Sequence, residues 1–183
     1  TLRREGIDGL VVIGGDGTMV IAEGFARLGV PVVGVPKTID NDLMHTDRSF
    51  GFDSAVAVVA ESLDRLATTA KSHGRVMIAE TMGRYAGWIA LEGGMAGGAD
   101  VILLPEMPFS VEAVAEVCRQ REAREGDTLI CIAEGAHALN QAQVVRARLA
   151  DSPEPVRLGG VGQWLAQALQ PLVGSEVRST QLG

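Results

Sequence analysis

Apolar runs of strand length alternate with longer stretches of helical spacing along most of this chain. Gly9 to Ile13, Val30 to Val35, Arg75 to Ala79, Asp100 to Leu104 and Thr128 to Ala133 are short and rich in aliphatic residues. Within them, Leu10-Val11-Val12-Ile13 and Leu129-Ile130-Cys131-Ile132 show no polar alternation, which suits parallel strands covered on both faces rather than strands with one wet side. Met19 to Leu28, Phe52 to Ser72, Ala86 to Gly97, Val111 to Arg124 and Gly162 to Leu172 have the length and apolar spacing of helices. The alternation predicts an α/β protein with mostly parallel, doubly wound sheets.

The longest helix expected, Phe52 to Ser72, follows the irregular stretch Pro36 to Gly51 and so bridges two sheets. This places a boundary at Gly51, between residues 1–51 and 52–183. Gly135 to Leu158 is polar and broken by Pro153 and Pro155, and it reads as a surface excursion with one short helix. Thr1 to Gly9 resembles the tail of a helix running into a strand. Ser175 to Gly183 reads as a strand that stops with nothing to close it. Both ends therefore suggest a piece of a longer protein.

Composition narrows the classes. A chain of 183 residues that is 46% hydrophobic can bury the core of one domain or of parts of two. Its net charge of −7 argues against nucleic-acid binding by general attraction to phosphate and confines any anion binding to a local site. No apolar run approaches the roughly 18 residues that would span a bilayer, so no membrane partner is expected. With only Cys118 and Cys131, a disulfide scaffold is not expected; both read as core thiols in a reducing cytoplasm. Trp88 and Trp164 have apolar neighbours at helical spacing and are expected in the core.

Four clusters carry chemistry. Gly14-Gly15-Asp16-Gly17-Thr18 lies between an apolar strand and a helix, where glycines let backbone amides approach a phosphate. Asp16 makes sense beside an anion if magnesium lies between them. This pattern also resembles that of NAD kinases and lipid kinases, and it points to phosphoryl transfer without naming an acceptor. Pro36-Lys37-Thr38-Ile39-Asp40-Asn41-Asp42 follows the next strand, at the edge where an open sheet builds its crevice. Asp40 is a candidate to take a proton from an attacking hydroxyl, with Asp42 and Asp16 as metal ligands.

Met82-Gly83-Arg84 again follows a strand, with His73 and Arg75 upstream. A planar guanidinium there can grip phosphate and offset charge that develops during transfer. His73 is read instead as a helix C-terminal residue. Glu134-Gly135 closes the strand Thr128 to Ala133, where a carboxylate could accept hydrogen bonds from sugar hydroxyls or be an ordinary strand-end acid. Arg178, in Glu176-Val177-Arg178-Ser179-Thr180, taken alone reads as an exposed strand arginine.

Gly-Gly-Asp-Gly-Thr, Pro-Lys-Thr-Ile-Asp-Asn-Asp, Met-Gly-Arg-Tyr-Ala-Gly-Trp, Gly-Gly-Ala-Asp with Pro-Glu, and Glu-Gly-Ala occur here in the order and spacing of phosphofructokinases, and the chain resembles that family over nearly its whole length. The resemblance implies a Rossmann-like three-layer sandwich, incomplete here, with residues 1–51 part of the phosphoryl-donor domain and 52–183 a truncated sugar-phosphate domain. It implies transfer of a phosphoryl group to the 1-hydroxyl of fructose 6-phosphate, the glycolytic step, with Mg2+ and with ATP as donor or pyrophosphate as the alternative.

Residue by residue, the resemblance implies Asp40 as catalytic base, Arg84 as transition-state arginine, Thr38 at the transferred group, and Asp16 and Asp42 around magnesium. It places Gly14, Gly15, Asp16, Gly17, Thr18 and Lys37 at the donor. Met82, Gly83 and Glu134 match sugar contacts, and Arg75 and Arg178 match arginines that reach the sugar phosphate from a neighbouring subunit of a dimer or tetramer.

Two departures qualify this. The family's amino-terminal glycine-rich loop and its His-x-Gln-Arg-Gly-Gly run are absent, so the piece alone is expected to be inactive. Gly17 resembles ATP users, whereas Lys37 replaces the glycine of common bacterial ATP enzymes and resembles pyrophosphate users; some ATP-dependent members combine the two. Against a kinase of another acceptor such as NAD stand Thr38 to Asp42 and Arg84. Against a non-catalytic homologue stand Asp40 and Arg84, since a pure binder needs neither.

Overall fold

A computed structural model describes residues 2–148 and 156–183. The chain divides into two compact units, Thr1–Asp53 and Ser54–Gly183.

In the first unit a single turn of 3-10 helix, Leu2–Glu5, stands where a helix tail was expected. Strands β1 (Leu10–Gly14), β2 (Val32–Thr38) and the two-residue β3 (Phe50–Gly51) form a parallel sheet in that order. Helix α1 (Asp16–Arg27) packs on it and begins three residues before the Met19 expected. Gly15 serves as N-cap, its carbonyl accepting from the N–H groups of Thr18 and Met19 at 3.0 Å each, and Asp16 in the first turn suits the positive end of the helix dipole. Strand β2 continues past Val35 because Lys37 and Thr38 pair with Phe50 and Gly51. Among the described residues one face of this sheet is uncovered: Val11, Ile13 and Val33 stay more than 60% exposed.

The second unit fits the expected three layers. Strands β4 (Val76–Thr81), β5 (Val101–Leu103), β6 (Thr128–Ala133) and β9 (Val177–Gln181) form a parallel sheet in the order β5-β6-β4-β9. Every residue of β4 and β6 is buried, which is the reason their sequences lack polar alternation. Val76, Ile78, Ile130 and Ile132 pack with α4 (Val111–Glu122) and α5 (Val161–Leu169) through Val114, Cys118, Val161 and Leu165. On the other face α3 (Trp88–Ala96) approaches so closely that a Cβ on Gly94 would lie 2.9 Å from the Ile102 side chain and 3.1 Å from Cys131. Helix α2 (Phe52–His73) lies behind it, Val59 against Gly93 and Leu63 against Gly97. His73 ends α2, as expected.

Two expectations are corrected. Where one short helix was expected between Gly135 and Leu158, β7 (Val145–Arg148) pairs antiparallel with β8 (Val156–Leu158), because Val145-Arg-Ala-Arg and Val156-Arg-Leu alternate at the two-residue period of a strand. Pro153 and Pro155 lie outside the described residues. Trp88, expected in the core, is 46% exposed, whereas Trp164 is partly buried against Phe109 with ring centroids 6.4 Å apart. Cys118 and Cys131 are both buried. Among the described residues no helix is long and apolar enough to cross a membrane.

Candidate functional site

In the first unit the predicted residues gather at the carboxyl ends of β1 and β2. The register aligns Gly14 with Pro36, so the Gly14–Thr18 and Lys37–Asp42 segments leave the sheet side by side. Gly14 admits no side chain, since a Cβ would meet the Thr18 hydroxyl oxygen at 2.4 Å. Gly15 faces Thr38 across ordinary van der Waals distance. Gly17 is different: a Cβ there would meet nothing within 4 Å, so the fold itself does not demand glycine. Asp16 and Asp42, predicted as metal ligands, line one open pocket of about 640 Å3 together with Gly34, Pro36 and Thr46. Lys37 is exposed.

The loop that carries Asp40 and Asp42 is held by Thr38 together with Asn41 and Ser49, the last two being residues to which sequence reasoning gave no role. Thr38 Oγ1 accepts the backbone N–H of Asp40 at 3.2 Å. Asn41 has a left-handed backbone, φ 54°, which asparagine tolerates better than most side chains. Its Oδ1 accepts the N–H of Ser49 at 2.9 Å, while the buried Ser49 hydroxyl donates to the Thr38 carbonyl at 2.8 Å. The only sequence signal was an Asn and a Ser in an irregular stretch.

In the second unit Met82, Gly83 and Arg84 follow β4, and Glu134 follows β6. The Glu134 N–H donates to the Thr81 carbonyl at 2.8 Å, and Glu134 Oε1 accepts the Arg84 N–H at 3.0 Å. Arg84 also has a left-handed backbone, φ 52°, a conformation disfavoured for a side chain of its size. Met82 and Glu134 line a pocket of about 250 Å3 whose wall includes Arg146 and Arg157 of the β7–β8 hairpin, two further residues the sequence reading missed.

Buried Glu80, at the end of β4, accepts the N–H groups of Gly160 at 2.8 Å and Gly162 at 2.7 Å, fixing the start of α5 beside that pocket. Glu106 accepts the Gly87 N–H at 2.8 Å and sets the start of α3.

Arg75 and Arg178 do not join this group. They stand at the opposite, amino ends of β4 and β9, where Glu176 pairs with both at 2.6 Å. Along the six residues of β4 the separation from Met82 is roughly 20 Å.

Both units have polar segments at the carboxyl ends of parallel strands, the edge at which open α/β sheets bind ligands, and this places the chain in the Rossmann-like class. The chain belongs to the phosphofructokinase family, whose model matches residues 1–183. It is 54% identical over 184 residues to an ATP-dependent 6-phosphofructokinase 2 of Clostridium perfringens, covering 100% of this chain and 50% of that protein. It is 50% identical over 182 residues to a pyrophosphate–fructose 6-phosphate 1-phosphotransferase of Amycolatopsis methanolica, covering 100% of this chain and 53% of the relative. Among solved structures, phosphofructokinase from Saccharomyces cerevisiae superposes with a TM-score of 0.81 at 32% identity, over 100% of this chain and 26% of that one. The chain spans about half the length of the curated relatives it matches.

Proposed function

We propose that the protein carrying this chain transfers the terminal phosphoryl group of ATP to the 1-hydroxyl of fructose 6-phosphate, giving fructose 1,6-bisphosphate. The observation that carries the reading is the shared pocket of Asp16 and Asp42 at the carboxyl ends of β1 and β2, with Asp42 on the segment that also carries Thr38 and Asp40. Asp40 takes the proton of the sugar hydroxyl as its oxygen attacks phosphorus and the bond to the leaving nucleotide breaks. Thr38 contacts the group in transfer, and Arg84 offsets its developing charge. Met82, Gly83 and Glu134 hold the sugar. Gly14, Gly15, Gly17, Thr18 and Lys37 face the donor.

The residues fit Mg2+. Among the described residues no three acids or other ligating groups cluster, but magnesium commonly takes one or two carboxylates and completes its shell with phosphate oxygens and water. Asp16 and Asp42 would hold it, and when bound it neutralises phosphate charge during transfer.

Pyrophosphate as donor is the second reading, favoured by exposed Lys37 and by the Amycolatopsis methanolica relative. Arg75 and Arg178 serve the sugar phosphate of a neighbouring copy, a reading supported by their distance along the strands from Met82 and Glu134. The protein is then a homo-oligomer, and its two thiols accord with a cytoplasmic setting. The test supplies the enzyme with fructose 6-phosphate, Mg2+ and each donor, and follows fructose 1,6-bisphosphate. Product is expected; none with either donor sinks the reading.

A further inference from the structure

Strand geometry brings three charged residues together at the amino end of the second sheet. Strands β4 and β9 are parallel with Val76 opposite Val177, and the Val76 N–H donates to the Glu176 carbonyl at 3.0 Å, so Arg75 and Glu176 are neighbours across the pair. Residues two apart in a strand share a face, which puts Arg178 on the same side as Glu176. The Glu176 carboxylate divides its oxygens between them. Oε2 accepts from Arg75 Nε at 2.6 Å, and Oε1 accepts from Arg178 Nε at 2.8 Å and Nη2 at 2.6 Å.

We infer that Glu176 is the positioning residue of a two-arginine grip for a phosphate monoester, presenting Arg75 and Arg178 as one preformed fork. A guanidinium has five N–H donors. Glu176 uses the Nε side of each, one donor of Arg75 and two of Arg178, which leaves both Nη groups of Arg75 and Nη1 of Arg178 for a ligand. The cluster keeps a net charge of +1, from two arginines and one carboxylate, which still attracts a dianionic phosphate. Arg75 is 21% exposed and Arg178 57%, so the fork is anchored on one side and open on the other. Without Glu176 two long side chains must be immobilised at the moment of binding, an entropic cost that the carboxylate has already met. The Glu176 carboxyl is held below the usual carboxylate range, first by its hydrogen bonds from Arg178 and then by those from Arg75, so it stays ionised through the neutral range.

This inference rests on the assignment of Arg75 and Arg178 to the sugar phosphate. Glu176→Ala, Glu176→Gln and Glu176→Asp are compared with Arg75→Ala and Arg178→Ala in the enzyme carrying this chain, with thermal unfolding as a check on folding. Steady-state kinetics give KM and kcat, and calorimetry gives binding of fructose 6-phosphate. Glu176→Ala is expected to weaken sugar-phosphate KM and binding roughly tenfold, with kcat within about twofold and donor KM unchanged. Glu176→Asp should recover part of the loss and Glu176→Gln less. Normal or tighter sugar-phosphate binding in Glu176→Ala, with weakened binding in both arginine variants, would overturn the positioning role alone. Normal binding in the arginine variants would remove the phosphate grip itself.

Discussion

Glu134 Oε1 accepts the backbone N–H of Arg84 at 3.0 Å, tying the ends of β6 and β4 together at the residue proposed to balance charge in the transition state. Next to it, Gly135 lies so close that a Cβ would stand 1.9 Å from the Arg84 carbonyl oxygen. No rotamer change relieves a clash with backbone, so the Arg84 turn must move. Gly135→Ala should therefore destabilise the second unit by about 2–3 kcal/mol, as overpacking against an immobile neighbour does. Urea unfolding followed by tryptophan fluorescence would show it, and an unchanged midpoint would contradict the geometry.

A second expectation concerns Asp40, whose backbone N–H is fixed by Thr38 Oγ1 while Asn41 and Ser49 brace the loop around it. In the enzyme carrying this chain, Asp40→Asn should lower kcat by roughly 10² to 10⁴, as loss of a positioned base does, while sugar affinity stays close to normal. Near-normal turnover removes Asp40 from the mechanism.

These two clusters show where sequence reading reached and where it stopped. Strand β6 was legible to the residue, because Thr128–Ala133 is buried on both faces and an unbroken apolar run has one good explanation. Arg84 and Glu134 were legible as strand-end residues. Their partnership was not, since it joins positions 50 apart in the chain and depends on β4 lying beside β6. Glu80 shows the same limit more sharply. In sequence it is a charge just past the apolar run that ends at Ala79; in the fold it accepts from the backbone N–H groups of Gly160 and Gly162, the latter 82 residues away, and from the Gln181 side chain. The β7–β8 hairpin escaped notice because each strand is too short for its alternation to stand out from polar surroundings. Trp88 was misjudged because helical spacing cannot say which side of a helix meets the sheet.

The buried cysteines yield a pH-dependent expectation. Burial pushes the Cys118 thiol up to about 11 and the Cys131 thiol up to about 12, from an ordinary 9.0. A raised pKa means that the folded chain keeps protons which the unfolded chain releases, so stability falls as pH rises. The loss should begin near pH 9 and continue to about 11 for Cys118 and about 12 for Cys131, with no contribution from either thiol at pH 7. Replacing both with Ala should flatten that alkaline decline in denaturant midpoints. In the folded wild type neither thiol should react with a thiol reagent at pH 8, whereas both should do so in denaturant. Fast labelling of the native chain would show that the burial is not maintained.

The expected choice of donor rests on Gly17. Gly14 is required by the fold, because a side chain there would run into Thr18, but a Cβ on Gly17 would enter open space. The missing side chain at residue 17 therefore has no explanation in packing, and under the proposed function it leaves room for the donor beside Asp16. An aspartate at that point would crowd and repel the inner phosphate of a nucleotide. Lys37 pulls toward pyrophosphate, since an ammonium can bind its oxygens as a point charge, yet the same lysine can contact phosphates of ATP. Steric and electrostatic exclusion outweighs an attraction that discriminates poorly, so ATP is expected to support faster turnover than pyrophosphate in the wild-type enzyme. Gly17→Asp should fold normally, as the open space predicts, apart from a cost of well under 1 kcal/mol or even a slight gain in helix stability. It should lose ATP-dependent turnover by at least roughly tenfold while keeping or gaining activity with pyrophosphate. Faster wild-type turnover with pyrophosphate would reverse the assignment, and a Gly17→Asp protein that still prefers ATP would show that residue 17 does not set it.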